Sequence, residues 1–274
     1  MSEPSPNSVL RFALEIEYDG HGFCGWQKQL SPPLPTVQSC LESAISRVAD
    51  RDVSVICAGR TDRGVHATGQ VIHFESDIDR GEKAWTIGVN SLLPASIRVR
   101  QSRVVNASFH ARFSALSRRY LYVIYESDIA PALMAHQLTH VRSELDVDAM
   151  HLAGQYLLGE NDYSAFRAAG CQSKTPYRCV HWLNVKRKGR FIVVDIQADA
   201  FLQHMVRNIV GVLLEIGKKL QKPQWARELM QSRDRTLGAI TASPCGLYLA
   251  EVKYPSEYNL KVSELAPCFL QPYS

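Results

Sequence analysis

A chain of 274 residues with 46% hydrophobic and 21% charged side chains carries enough apolar material for one large folded domain or two modest ones, which excludes a disordered or fibrous polypeptide. The formal net charge of +4 is a mild basic excess that permits an anionic partner without demanding one. The seven cysteines are odd in number, scattered and free of any Cys-x-x-Cys pair, so they suggest neither a disulfide framework nor a zinc knuckle and fit a reducing, cytoplasmic setting.

The opening "MSEPSPNS" has no basic and apolar run of the export type. The most apolar stretch, "IVGVLLEIG" at 209–217, is short and carries Glu215, so no membrane span is expected. Residues 1–9 and 259–274 are rich in polar residues and proline and predict loosely held ends. Between them, "LRFALEIEY" (10–18) alternates Phe12, Leu14 and Ile16 with Arg11, Glu15 and Glu17, a period of two that predicts a strand. Val37, Leu41, Ala44, Ile45 and Val48 fall at helical spacing behind Thr36, a suitable N-cap. Strands are predicted at 53–58 and 69–76, a helix around 83–93 and a strand at 97–105, giving β-α-β-β-α-β.

The second half repeats that order. A strand at 118–126 precedes a helix at 146–158 and a hairpin at 179–198 turning at Lys188-Gly189. A long helix at 202–220, a shorter one at 223–233 and a strand at 246–254 follow. Two such units predict an α+β fold of two pseudo-symmetric ferredoxin-like units with antiparallel sheets, 10–112 and 113–258, with the seam near 110–117. The repeat lies in the order of elements, not in visible sequence identity.

The loop between the second and third strands of the first unit lies within "AGRTDRGVHATGQVIHF" (58–74). Gly59, Gly64 and Gly69 allow sharp turns and a close approach of backbone to ligand. An ordinary turn with a local Asp cap explains most Asp-x-Gly stretches. Arg60 beside Asp62 shifts the balance, because a neighbouring guanidinium keeps a carboxylate ionised and aimed, as a nucleophile requires. His66 and His73 have no Cys, Asp or Glu nearby at a metal-binding spacing. "HQLTH" (136–140) puts Gln137 where the zinc proteases need a catalytic Glu, so no metal site is expected there.

In "RRYLY" (118–122) the strand period puts Arg118, Tyr120 and Tyr122 on one face. That pattern suits a core aromatic pair and a base-stacking platform with phosphate-binding cations equally well. The helix from 202 carries a polar stripe through His204, Arg207, Asn208, Gly211 and Glu215, either a solvated face or one that turns Arg207 toward an acid. Basic clusters at Arg98, Arg100 and Arg103, at 186–190 and at Lys218, Lys219 and Lys222 are solvated faces or a phosphate-tracking surface.

With "YDGHGFCGWQ" (18–27), the Asp62 stretch, "FHARFSALSRRYLY" (109–122), "GENDYSAFRA" (159–168), "HMVRNIVG" (204–211) and "GLYL" (246–249) in order, the chain resembles the tRNA pseudouridine synthase A family over nearly its whole length. The resemblance implies an enzyme that isomerises uridine to pseudouridine at positions 38, 39 and 40 of the tRNA anticodon stem-loop, without metal or organic cofactor. It also implies two α+β halves whose sheets join, an active-site cleft between them, and a homodimer that holds one tRNA across both subunits. By the same resemblance Asp62 is the catalytic aspartate and Tyr120 stacks on the substrate. Arg207 pairs with the aspartate, Leu247 lines the uracil pocket and Arg60 helps to extrude the base. Arg63 departs from the smaller residue or lysine common at that place.

Such a reaction breaks the N1–C1′ bond, turns the uracil and rejoins it through C5. Asp62 adding to the ring, attacking C1′ or removing a sugar proton are routes the sequence leaves open. A target in or beside a stem must be flipped out at a cost of a few kcal/mol, of which stacking on Tyr120 offsets ~1–3 kcal/mol. Two rival readings exist. A non-catalytic RNA binder with two RRM-like sheets gives Asp62 no chemistry, and a glycosidase needs a second acid that no motif supplies.

Overall fold

The computed structural model describes residues 9–29, 34–260 and 266–273, so most of the expected loose ends at 1–9 and 259–274 lies outside the described residues. The fold is mixed α+β with mostly antiparallel strands, and it divides into two compact units. The first contains the chain up to Leu116 together with the stretch from Ala250 onward; the second is Ser117–Leu249.

In the first unit β1 (Leu10–Tyr18), α1 (Val37–Ala49), β2 (Ile56–Cys57), β3 (His66–Ser76) and β4 (Ile97–Val105) make an antiparallel sheet in the order β4-β1-β3-β2. Phe12 on β1 faces Phe74 on β3, and their rings stack at 5.4 Å. Trp85, fully buried, closes on both at 5.2 and 5.1 Å. Helix α1 starts where the sequence predicts. Thr36 is its N-cap, and a reciprocal pair of bonds links Thr36 Oγ1 to the Ser39 N–H (3.2 Å) and Ser39 Oγ to the Thr36 N–H (3.3 Å).

Two predicted elements of this unit come out shorter. The alternation at 53–58 reflects side-chain burial more than strand pairing. Val53 and Val55 are buried, but their N–H groups donate to Ser46 Oγ (2.9 Å) and Glu42 Oε1 (3.2 Å) of α1, leaving only Ile56–Cys57 to pair with β3. The helix predicted at 83–93 is helical over 82–90, with a π-helical turn at Ala84–Gly88. Beyond it, the Asn90 side chain exchanges two 2.8 Å hydrogen bonds with the Val99 backbone on β4, tying the chain to the sheet.

The second unit contains β5 (Ser117–Glu126), β6 (Thr139–Val141), α2 (Val147–Gln155), β7 (Gly159–Asp162), β8 (Tyr177–Lys188), β9 (Phe191–Ala198), α3 (Met205–Gly217) and α4 (Trp225–Ser232). Next to β5 runs the start of β10 (Leu247–Lys253), and the order is β10-β5-β9-β8-β7, with β6 parallel to β5. The short strands β6 and β7 were not legible as patterns. Only Thr139 and His140 of "HQLTH" lie on β6, its first three residues forming a turn and bend, and His140 Nε2 bonds the Ser127 carbonyl at 2.7 Å. The long helix predicted at 202–220 is α3, bounded by left-handed backbone at His204 (φ 61) and at Lys219 (φ 62).

The boundary between units differs from the linear division 113–258. From Ala250 the chain belongs to the first unit. There the Leu116 N–H donates to the Lys253 carbonyl (2.8 Å) and the Tyr254 hydroxyl to the Ala111 carbonyl (2.6 Å). Among the described residues no helix is long and apolar enough to cross a membrane.

Candidate active site

Asp62 sits half-buried in the loop from β2 to β3, on backbone that is braced from behind. Ala58 N–H donates to the Val71 carbonyl at 2.8 Å. The fully buried Gln70 clamps Gly59, donating to its carbonyl at 2.6 Å and accepting from its N–H at 3.3 Å. The Thr61 hydroxyl bonds the Tyr18 hydroxyl (2.8 Å), and its carbonyl accepts from the Trp26 N–H (3.0 Å). The Asp62 carbonyl accepts from the Val65 N–H at 3.2 Å and closes the turn. A loop so tied presents its carboxylate with little freedom to drift.

The brace explains "YDGHGFCGWQ", which the sequence offers without a reason. A Cβ on Gly20 would lie 2.0 Å from the Val65 carbonyl oxygen. A Cβ on Gly25, whose φ is +88, would lie 3.0 Å from the Thr61 oxygen, 3.1 Å from the Arg63 nitrogen and 3.2 Å from the Asp62 carbonyl carbon. This segment is the back wall of the Asp62 loop, and its glycines set how closely the two backbones approach.

The histidines are part of the same scaffolding. His66 is buried, and its Nδ1 accepts the Gly20 N–H at 3.0 Å. The same Nδ1 lies 3.0 Å from Asp19 Oδ1, so the ring ties the Asp19-Gly20 turn to the start of β3. His73 is pushed down to about 4 by burial and then by the His110 and Arg11 charges, and its Nδ1 accepts the Ala111 N–H at 3.1 Å. Burial pushes the Cys57 thiol up to about 12, although Arg60 and Arg112 pull it the other way, so it is a packed thiol and not a nucleophile. Arg60 and Arg63 are exposed, and among the described residues neither side chain has a hydrogen-bond or ion-pair partner. Among the described residues no group of three or more His, Cys, Asp and Glu could hold a metal ion.

Tyr120, Arg207 and Leu247 belong to the second unit. Tyr120, 8% exposed, stands edge-on to Phe201 with centroids 5.1 Å apart. Tyr122 is fully buried, its hydroxyl bonded to Thr139 (2.6 Å) and to the Ser243 carbonyl (2.9 Å), and burial raises its pKa. The two tyrosines of "RRYLY" thus differ: Tyr122 is core, and Tyr120 lies at its margin. Arg119 is engaged by protein, bidentate to Asp195 (2.8 and 2.7 Å) and 5.4 Å from the Trp182 ring.

The polar stripe of α3 is not a solvated face. Arg207 Nε donates to the Ala242 carbonyl at 2.8 Å, and the Ala242 N–H returns a bond to the Arg207 carbonyl at 3.1 Å. Asn208, 2% exposed, donates to the Phe166 carbonyl (2.7 Å) and accepts from Thr241 Oγ1 (2.7 Å) and Arg235 (3.1 Å). Gly211 admits the Ile240 carbonyl to 2.2 Å from where its Cβ would be. "HMVRNIVG" is therefore a docking strip that holds segment 238–242 against Arg207. Leu247 is 5% exposed and opens β10. Several basic side chains are also neutralised locally: Arg100 by Glu17 (2.7 Å) and Arg187 by Glu126 (3.0 Å).

A family model described as tRNA pseudouridine synthase matches residues 15–114 and 153–255, the stretches that hold the Asp62 loop, its back wall and the α3 strip. The chain belongs to that family: it is a pseudouridine synthase, an isomerase acting on uridine in tRNA. Along nearly its full length it is similar to proteins named tRNA pseudouridine synthase A. That of Shewanella sp. (strain MR-4) is 53% identical over 261 residues, covering 95% of this chain and 99% of the relative. That of Histophilus somni (strain 2336) is 55% identical over 261 residues, covering 95% and 96%. Arg60, Asp62, Arg207 and Leu247 fall inside the stretches matched by the family model, and Tyr120 falls between them.

Proposed function

We propose that the chain isomerises the uridines at positions 38, 39 and 40 of the tRNA anticodon stem-loop, with Asp62 as nucleophile on a flipped-out base. The observation that carries this reading is the half-buried Asp62 on a backbone clamped by Gln70, Tyr18 and Trp26, two residues along the loop from the exposed Arg60. In the reaction the N1–C1′ bond breaks, the uracil turns, and C5 bonds to C1′. The proton on C5 leaves to solvent and N1 takes one up, so the formula of the nucleoside is unchanged.

Each remaining site residue has one task in this scheme. Tyr120 stacks on the extruded uracil, offsetting ~1–3 kcal/mol of the unstacking cost. Arg207, oriented by its bond to Ala242, pairs with the catalytic carboxylate, and Leu247 walls off the base from water. Arg60 enters the space the base leaves. No metal or organic cofactor takes part in this scheme, and the working enzyme is a cytoplasmic homodimer that holds one tRNA across both subunits. We also infer that both units are ferredoxin-like. Setting β6 and β7 aside, each runs its four main strands in the order fourth, first, third, second, which supports that assignment.

The test is tritium release from tRNA carrying 5-tritiated uridine. Asp62→Ala is expected to release none while binding tRNA as the wild type does, and release at a rate near wild type would refute the nucleophile. Carbodiimide mapping of the product is expected to give stops at 38, 39 or 40, and stops only outside the anticodon arm would refute the target.

A further inference from the structure

The turn from His110 to Ser114, between β4 and β5, builds a rigid support under one exposed aromatic ring. Ser114 N–H donates to the His110 carbonyl (2.9 Å), and Ser114 Oγ accepts the His110 N–H (3.0 Å). His110 Nδ1 accepts the N–H groups of Arg112 and Phe113, both at 3.2 Å, which fixes the orientation of the imidazole. The ring of Phe113 lies on that imidazole at 4.3 Å and 27°, and His110 in turn rests on the buried His73 at 4.8 Å. Three bonds anchor the turn to the unit: Ala111 N–H to His73, Tyr254 hydroxyl to the Ala111 carbonyl, and Leu116 N–H to the Lys253 carbonyl.

On this column Phe113 is 76% exposed, an uncommon state for so well anchored a phenylalanine. The Arg112 guanidinium carbon is 5.6 Å from its ring centroid. The charges of Arg60 and Arg112 both reach the Cys57 thiol at the end of β2, the strand that leads into the Asp62 loop. An exposed ring with an arginine against it matches the chemistry of an unpaired nucleobase and its phosphate.

We propose that Phe113 is a stacking platform for an unpaired base of the tRNA other than the isomerised uridine, with Arg112 on the adjoining phosphate. The inference rests on the reading that Asp62 marks where the RNA enters. The occupant is nucleic acid and not a protein surface, because the established substrate is a polyanion and the side chain beside the ring, Arg112, is a cation.

The test compares Phe113→Ala, Phe113→Leu and Phe113→Trp for affinity toward a tRNA transcript and for turnover. Phe113→Ala and Phe113→Leu are expected to weaken binding and raise KM by about 5- to 100-fold, the range that loss of one base stack gives, with kcat within about twofold. Phe113→Trp is expected to bind like wild type and to add a fluorescence component, absent from wild type, that tRNA quenches. Affinity of the Ala variant within about twofold of wild type would overturn the platform, as would full affinity of the Leu variant or an added Trp signal that tRNA leaves unchanged. If the Ala variant fails to fold by circular dichroism, the Leu and Trp variants decide. Carbodiimide stops at another tRNA position, or turnover by Asp62→Ala, would remove the functional reading without changing these binding results.

Discussion

Gly22 and Gly25 offer a controlled perturbation of the Asp62 loop. Both have φ +88, but a Cβ on Gly22 meets nothing within 4 Å, whereas one on Gly25 presses on the backbone of Thr61, Asp62 and Arg63 at 3.0–3.2 Å. Gly22→Ala therefore measures the conformational cost alone, about 1–2 kcal/mol for a side chain in left-handed backbone. Gly25→Ala carries the same cost plus a displacement of the loop by a few tenths of an ångström, adding roughly 1–2 kcal/mol. Since a misplacement of about 1 Å at a reacting group costs on the order of a hundredfold in rate, this smaller shift should slow the single-turnover step by roughly tenfold. Urea denaturation gives the stabilities, and tritium release at saturating tRNA gives the rates. We expect Gly22→Ala to react at near wild-type rate and Gly25→Ala to be slower out of proportion to its stability. Equal rates for the two variants would refute the claim that the 18–27 segment sets the position of Asp62.

Two further predictions concern the scaffold. Asn208→Leu should cost about 2–4 kcal/mol in urea denaturation, because it leaves the Phe166 carbonyl and Thr241 hydroxyl without their buried partner and loosens the segment that bonds Arg207; a loss under about 1 kcal/mol would show that Asn208 is not the latch. Stability should also fall on acidification. Burial holds His73 neutral, with its pKa pushed down to about 4, whereas an unfolded histidine titrates near ~6.5. Between these values only the unfolded chain takes up the proton. The contribution is thus intact above pH ~6.5 and is lost progressively as pH falls toward 4, by up to about 3 kcal/mol. His110 shifts in the same direction through burial, so His73→Asn should flatten the slope of stability against pH without abolishing it, and an unchanged slope would contradict the assignment.

Much of the architecture was legible because burial imposes its period on the chain. The alternation at 10–18, the Thr36 cap and the β8–β9 hairpin follow from local rules, and the structure has them at or near the expected residues. The misses have a common cause. At 53–58 the apolar alternation is real, but the backbone donors go to α1 side chains, and no local pattern reveals where a buried N–H finds its partner. The strands β6 and β7 are three and four residues long, too short to show a period, and exist only because β5 and β8 offer them an edge.

For the site, the sequence by itself singled out Asp62 and Arg60, since a carboxylate beside a guanidinium in a glycine-rich loop is a local feature. It also carried the family resemblance that full-length similarity to curated relatives bears out. Only the tertiary structure decided what surrounds them. Gly20 and Gly25 matter because another loop lies against them, and the two "RRYLY" tyrosines part company because one is sealed over its hydroxyl. Asn208 lies on a stripe whose sequence leaves a solvated and a functional face equally open, and it is the docking of segment 238–242 that buries it. Local chemistry is written in neighbouring residues; close approach, burial and bonding between residues far apart in the chain are properties of the packed molecule, and they turn a reactive side chain into a positioned one.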